Sequence, residues 1–412
     1  MTFTLSFARG STTDEASPHY PGWRVAAVCF AMATFCWGFG FYGHGFYLAE
    51  LQRLHHWPAS LISGASTAYY FVSAILVVFV NDIIARLGLR AFVLAGLAAL
   101  ATSAILISAV RAPWQLFAVY LVMSFGWAAM SVGAITNILG LWFDTKRGLA
   151  ISLALTGASF AGIVIVPPLV LLAGALGFTT AMMIGTALML VVLVPLTLTW
   201  IDDAPAGRHD ARQQTSAAAQ PTWTRTRALR DFGFWTVSAP FALALLAQVG
   251  FLVHQIAFLE PSIGRSAAGV AVGITTFMAI VGRLGLGTVI DRLDQRKASA
   301  VSMASQATAL AVMTQTTNPT ALIVACAVFG FSVGHLITFP ALIIQREFEP
   351  QSFGMLIGLS TAISQFTYAL GPGLLGLIRD LTGGYTASLA LCVALDATAA
   401  GIILLKSRRA SA

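Results

Sequence analysis

Apolar stretches about twenty residues long recur along the whole chain, separated by short breaks of Gly, Pro or charge. A bilayer core about 30 Å thick is crossed by roughly 20 helical residues, so each stretch reads as one spanning helix. The spans fall at 23–48, 58–81, 91–110, 114–142, 147–174, 178–200, 232–259, 266–290, 299–316, 318–344, 353–378 and 385–405. Several exceed the length a bilayer requires, which implies tilt or extension beyond the lipid. Gly and Pro inside them are compatible with helix, because neighbouring helices satisfy the freed backbone groups. The pattern predicts an all-α membrane protein with twelve transmembrane helices.

Composition agrees with lipid as the surrounding medium. Of 412 residues 58% are hydrophobic and 9% charged, whereas a soluble domain carries about 25% charge. The net charge of +7 raises nucleic acid as a partner, but the basic residues fall between apolar runs and form no patch. No nucleic acid is expected. Cys29, Cys36, Cys326 and Cys392 lie inside apolar runs without metal-like spacing and read as packing residues. The first residues, MTFTLSFARGSTTDEASPHYPGW, lack the features of a cleaved signal peptide.

Lys and Arg set the orientation. With twelve spans and an internal N-terminus, eighteen fall on the cytoplasmic side. Arg53, Arg111, Arg265 and Arg379 fall on the other, and Arg283 is left inside a span. Such a bias places both termini in the cytoplasm. The longest polar stretch, rich in Ala, Gln, Pro and charge, reads as a cytoplasmic linker with a short surface helix near its end. It gives an N-terminal six-helix bundle at 1–201, a linker at 202–230 and a C-terminal bundle at 231–412.

The halves read as copies. His44 and Glu50 match His254 and Glu260 at an offset of 210; Asp82 matches Asp291 at 209. Gly148 matches Gly354, and Thr180-Ala181 matches Thr386-Ala387, at 206. Near-constant spacing over the whole length makes this a parallel repeat.

This organisation resembles the major facilitator superfamily along essentially the whole chain. That family carries a Gly-Asp-Arg-Gly-Arg loop after its second span, repeated after its eighth. The second copy here is Gly287-Thr-Val-Ile-Asp291-Arg292-Leu-Asp294-Gln-Arg296-Lys297; the first, Asp82-Ile-Ile-Ala-Arg86-Leu-Gly88-Leu-Arg90, lacks the leading Gly and stretches the Asp-to-Arg interval. Trp142-Phe143-Asp144-Thr145-Lys146-Arg147-Gly148-Leu149-Ala150, Gly157-Ala158-Ser159-Phe160-Ala161-Gly162 and Arg86-Leu87-Gly88-Leu89-Arg90 resemble the monocarboxylate and oxalate–formate branch. Arg283, in Gly282-Arg283-Leu284-Gly285, sits where relatives hold an eighth-span arginine that binds the substrate carboxylate. Proton-coupled relatives often place an acid one turn earlier; here that residue is Ala279. The oxalate carrier's second cation, on the eleventh span, is missing before Arg379. The resemblance implies a substrate with one carboxylate.

An arginine near the bilayer centre costs at least ~2.5–3.5 kcal/mol, so Arg283 should face protein or water. It reads either as a guanidinium gripping a carboxylate through paired hydrogen bonds or as a structural ion pair or snorkelling cation. His335, near the middle of the tenth span, is a ligand, a proton site or a packing residue. His44 and His254 are candidates for coupling or an outer gate. Gln248 and Gln255 share a helix face with Phe251 between them, either lining a cavity or tying helices together. Phe35, Phe39 and Tyr42 form an aromatic stripe in which Tyr42 can donate to a substrate. Asn137, Tyr69, Tyr70, Gln365 and Tyr368 are weaker candidates of the same kind. Asp396, inside the twelfth span, is a coupling carboxylate or a residue held by its neighbours. Asp82, Arg86, Arg90, Asp291 and Arg292 suit a cytoplasmic gate.

The expected function is secondary active transport of a small organic anion, a monocarboxylate, by alternating access. Proton coupling is raised by His335, His44 and His254. An exporter of amphipathic drugs or metabolites, and a non-transporting membrane sensor, are the alternatives. No G-x-x-x-x-G-K-[ST] loop for ATP and no catalytic triad, metal or cofactor motif is present, so neither an enzyme nor a bound cofactor is expected. The expected location is a bacterial-type inner (plasma) membrane.

Overall fold

The computed structural model describes residues 14–201, 223–287 and 292–405. Among them the chain is helical and contains no strand. Six long helices make up the first half: α1 (Pro21–His55), α2 (Ala59–Val78), α3 (Leu89–Leu106), α4 (Pro113–Trp142), α5 (Arg147–Leu176) and α6 (Phe178–Trp200). The second half contributes α7 (Phe232–Ile263), α8 (Arg265–Gly287), α9 (Gln295–Gln315), α10 (Pro319–Glu347), α11 (Phe353–Thr382) and α12 (Thr386–Ile403). Eleven of these are long and apolar enough to cross a membrane. The exception is α9, where a ninth span was expected at 299–316. A helix forms there, but Gln, Ser, Thr, Lys and Arg make it too polar to qualify by composition. A short helix, Arg225–Arg230, falls within the expected linker; residues 202–222 lie outside the described residues.

Local chemistry explains where these helices start and bend. Proline opens α1, α4 and α10, where the missing N–H costs nothing. The sequence Gly38-Phe-Gly-Phe-Tyr42 inside α1 forms a π turn, a widening common at functional positions. Two of its carbonyls are satisfied from outside: the Tyr69 hydroxyl donates to Gly40 at 2.7 Å and that of Tyr47 to Phe39 at 3.0 Å. Helix α1 runs seven residues past the expected 48 and ends at His56, a non-Gly residue at φ 54° in the left-handed region that usually terminates helices through Gly or Asn. In α10 a turn interrupts the helix at residues 337–338, ahead of Pro340.

Packing follows the repeat. Within the first half α2 and α3 pack on α4, and α3 on α6; within the second, α8 and α9 pack on α10, and α9 on α12. The halves meet through α2 with α11, α5 with α8, and α1 with α7. The first two contacts exchange places under the repeat, so the interface is itself pseudo-two-fold. Glycines set its closeness. A Cβ on Gly45 of α1 would lie 3.0 Å from the Leu252 carbonyl of α7, and one on Gly162 of α5 would lie 2.2 Å from Thr276 of α8.

Candidate functional site

Arg283 is placed by the contact between α8 and α10. Gly334 has no side chain at the crossing; a Cβ there would stand 1.9 Å from the Ala279 carbonyl. Small residues let the two backbones touch. Where α10 turns at 337–338, the Thr338 N–H donates to the His335 backbone carbonyl at 2.9 Å. Arg283 Nε donates to the Gly334 carbonyl at 2.8 Å. That bond fixes the plane of the guanidinium. Among the described residues no carboxylate pairs with Arg283, and no hydrogen bond engages its two terminal nitrogens. The group is half-buried, and across the interface the Tyr42 phenol of the π turn lies within its electrostatic reach. A planar cation with one edge anchored and the other open suits an incoming carboxylate.

The first half faces this cation with aromatic and hydroxyl groups. Tyr42 packs edge-on to Phe41 at 5.1 Å, and Phe41 meets Tyr70 at 6.1 Å and Trp127 at 6.2 Å. Tyr70 in turn meets Tyr368 of α11 at 5.7 Å, so these rings cross between halves. Behind them His44 is wholly buried and ringed by Tyr47, Tyr69, Tyr70 and Tyr120, with centroids at 6.1, 4.6, 5.3 and 4.9 Å. Its Nδ1 is 3.0 Å from the Ser66 hydroxyl, which reaches Tyr120 at 3.4 Å. Both His44 Nε2 and the Tyr70 hydroxyl are buried without a hydrogen-bond partner. Buried polar atoms are rarely left so. The site thus holds unused hydrogen-bonding capacity.

Several of the other candidates are bonded within their own half. His254 is buried with Nε2 2.9 Å from the Pro372 carbonyl and Nδ1 3.1 Å from the Tyr385 hydroxyl, both within the second half. Gln248 accepts from Gln306 of α9 (3.0 Å), and Gln255 donates to Thr275 of α8 (2.9 Å) and to the Cys326 sulfur of α10 (3.6 Å). These bonds tie helices of one half together; the Gln255 carbonyl oxygen has no partner. His335 turns toward α9, where its Nε2 bonds Ser302, and it packs between Phe331 and Phe339. Asn137 is half-buried on the last turns of α4, which pack on α1 and α5. Asp396 is wholly buried on α12, and neither carboxyl oxygen has a hydrogen-bond partner.

The ends of the molecule differ. Where α1 ends and α8 begins, Glu50 pairs with Arg265 of the other half and with Arg53 at 2.9 Å. Nearby, Asp380 of α11 accepts from the first N–H groups of α2, Ala59 at 3.3 Å and Ser60 at 2.7 Å. A carboxylate on a helix N-terminus is favoured by the dipole, and here it caps a helix of the opposite half. A cavity of about 620 Å³, lined by Arg53, His56, Trp57, Glu260, Arg379 and Asp380, lies against this seal. Sequence reasoning singled out neither Asp380 nor the Glu50–Arg265 pair; the signal was charge at the ends of spans that also carries topology.

At the opposite end Asp82 and Arg86 are exposed on the short helix Val80–Leu87, and Arg292 is exposed as well. Among the described residues Asp82 makes no ion pair. Asp291 lies outside the described residues. Arg90 serves as a cap, its Nε donating to the Ile201 carbonyl at 2.8 Å beyond the end of α6. Arg296 repeats that role, donating to Ile403 at 2.8 Å at the end of α12 and pairing with Glu347 at 2.6 Å. Glu15 folds over the start of α5, accepting from the N–H groups of Asp144 and Lys146 (both 2.8 Å) and from Thr145 Oγ1 at 2.7 Å. Burial pushes the Glu15 carboxyl up, but these donors outweigh it and hold the group below its ordinary value.

Two helical halves packed along a pseudo-two-fold interface define a polytopic membrane-protein fold. The family model of the Major Facilitator Superfamily matches residues 30–372 and 260–410. The chain belongs to that family of multi-pass membrane transporters. Among relatives, it is 23% identical over 374 residues to an uncharacterized MFS-type transporter, YcxA, of Bacillus subtilis, covering 84% of this chain and 86% of that one. It is 24% identical over 396 residues to monocarboxylate transporter 13 of Rattus norvegicus, covering 93% and 88%. In structure it superposes on the nucleoside transporter NupG with a TM-score of 0.71 at 15% identity, covering 94% of this chain and 100% of the other. That likeness speaks for the fold alone.

Proposed function

We propose that the chain is a secondary active transporter of a small organic anion, a monocarboxylate, working by alternating access. The two bundles, 1–201 and 231–412, rock about a site at Arg283 with the 202–230 linker between them. In this reading α9 completes the twelve spans, sheltered by its contacts with α10 and α12, and both termini lie in the cytoplasm of a bacterial-type plasma membrane. The observation that carries the proposal is the Arg283 guanidinium, anchored through Nε to Gly334 and without a protein carboxylate among the described residues. Relatives named as monocarboxylate transporters support it. The seal at Glu50, Arg265 and Asp380 is the outer gate in its closed state, and Tyr42 and Tyr368 frame the substrate. His44 is the proton-coupling residue in this reading: its Nε2 is buried without a partner inside the tyrosine cage, and His335 shares such an unpartnered nitrogen at Nδ1 while its other nitrogen bonds Ser302.

Reconstituted protein is expected to accumulate a monocarboxylate such as propionate when the proton gradient points inward. Arg283→Ala is expected to stop uptake. Undiminished uptake of carboxylates by that variant would reject the reading in favour of an amphipathic-compound exporter.

A further inference from the structure

Resting on the carboxylate reading of Arg283, we infer that the cargo carries an aromatic ring and that Phe41, Trp37 and Trp127 determine this preference. Helix α1 supplies the observation. Phe39 is wholly buried and Tyr42 nearly so, yet Trp37 and Phe41, one turn apart on a common face, keep accessible surface. Ring contacts lead from that surface toward the other half. Phe41 touches Tyr42, whose phenol lies within electrostatic range of Arg283 of α8, and Tyr70, which touches Tyr368 of α11. Trp127 extends the wall, nearly parallel to Phe41 at 22° and 4.7 Å from Trp37.

The chemistry of this wall is one-sided. It starts at Tyr42, within electrostatic range of the cation, and presents π faces and ring edges, with no charged side chain among its rings. A two- or three-carbon acid gripped by Arg283 leaves these faces in contact with water. A ring joined to the carboxylate by one or two carbons covers them, gaining apolar burial plus the edge and offset-stacking terms of aromatic pairs. Together these amount to about tenfold or more in affinity.

The test compares propionate with 3-phenylpropionate on the purified full chain, reading the concentration that gives half-maximal thermal stabilisation. The wild type is expected to favour the phenyl acid by about tenfold or more. Phe41→Leu and Trp37→Leu are expected to bring that ratio below about threefold, while Trp37→Phe, which keeps a ring, retains most of it. Equal response of the wild type to both acids, or a ratio that survives both leucine variants, overturns the inference and leaves the carboxylate reading standing. If Arg283→Ala responds to both acids as the wild type does, the reading beneath it fails instead.

Discussion

His44 and His254 stand 210 residues apart at matching heights in α1 and α7, and both are buried, yet their surroundings have diverged. His254 has both ring nitrogens engaged by its own half. His44 engages one, and its Nε2 is unpartnered inside a cage of tyrosines. Arg283 diverges in the other sense: positions 209 and 210 residues earlier are Ala74 and Ser73, without charge. By contrast Arg90 and Arg296, 206 apart, do the same work, each capping the last helix of its half. The repeat is preserved where it builds the scaffold and broken where unused valences meet. In the proposed site, a cation on one side and an aromatic, hydrogen-bonding cage on the other make an asymmetric pair inside a symmetric frame.

That contrast can be broken most severely at Arg283. Arg283→Ala should lower carboxylate uptake by about 100-fold, the equivalent of losing a pair of charge-assisted hydrogen bonds. Arg283→Lys, keeping charge but not the planar fork, should recover only part. The histidines separate next. His254→Ala leaves Tyr385 and the Pro372 carbonyl unpaired and should cost about 1–3 kcal/mol of stability in thermal unfolding. His44→Gln should leave folding near wild type while uptake stops responding to the proton gradient; a response equal to wild type defeats its coupling role.

The gate should respond more mildly. Glu50→Gln removes the pair with Arg265 and, with Asp380→Asn, should speed maleimide labelling of a cysteine placed at Ala257 in the cavity wall by about threefold, as fits partly exposed pairs worth up to about 1 kcal/mol. Unchanged labelling would argue that these charges serve topology alone. The smallest effect lies at Glu15. Its folded carboxyl titrates below the ordinary 4.5, so its stabilisation is fully present above that value and fades as pH falls through the lower folded one. Wild type should therefore lose thermal stability between neutral and acid pH more steeply than Glu15→Gln, with the two converging at the acid end.

The division between what could be read from the chain and what could not follows the range of the interactions. Spans, repeat and Arg283 are visible because a bilayer imposes length on every apolar run and a high cost on an isolated charge. Helix α9 strains the same rule: its Gln306 and Ser302 face α7 and α10 through hydrogen bonds, so its polarity is spent on neighbours the chain pattern does not reveal. Gln248 and Gln255 presented both readings, and only three-dimensional partners show them tying helices. The π turn hides because Gly-Phe-Gly-Phe-Tyr reads as uninterrupted helix until Tyr69 and Tyr47, 29 and 8 residues away from their acceptors, supply hydroxyls. Asp380 is opaque for the same reason, since the helix it caps begins 321 residues earlier.

A double-mutant cycle between ligand and protein goes straight to the main proposition. Binding of propionate and of propionamide would be measured by thermal stabilisation on wild type and on Arg283→Gln. The account predicts that wild type prefers the acid by at least about tenfold and that the preference disappears in the variant. Equal preference for the acid in both proteins would show that the anion is held elsewhere.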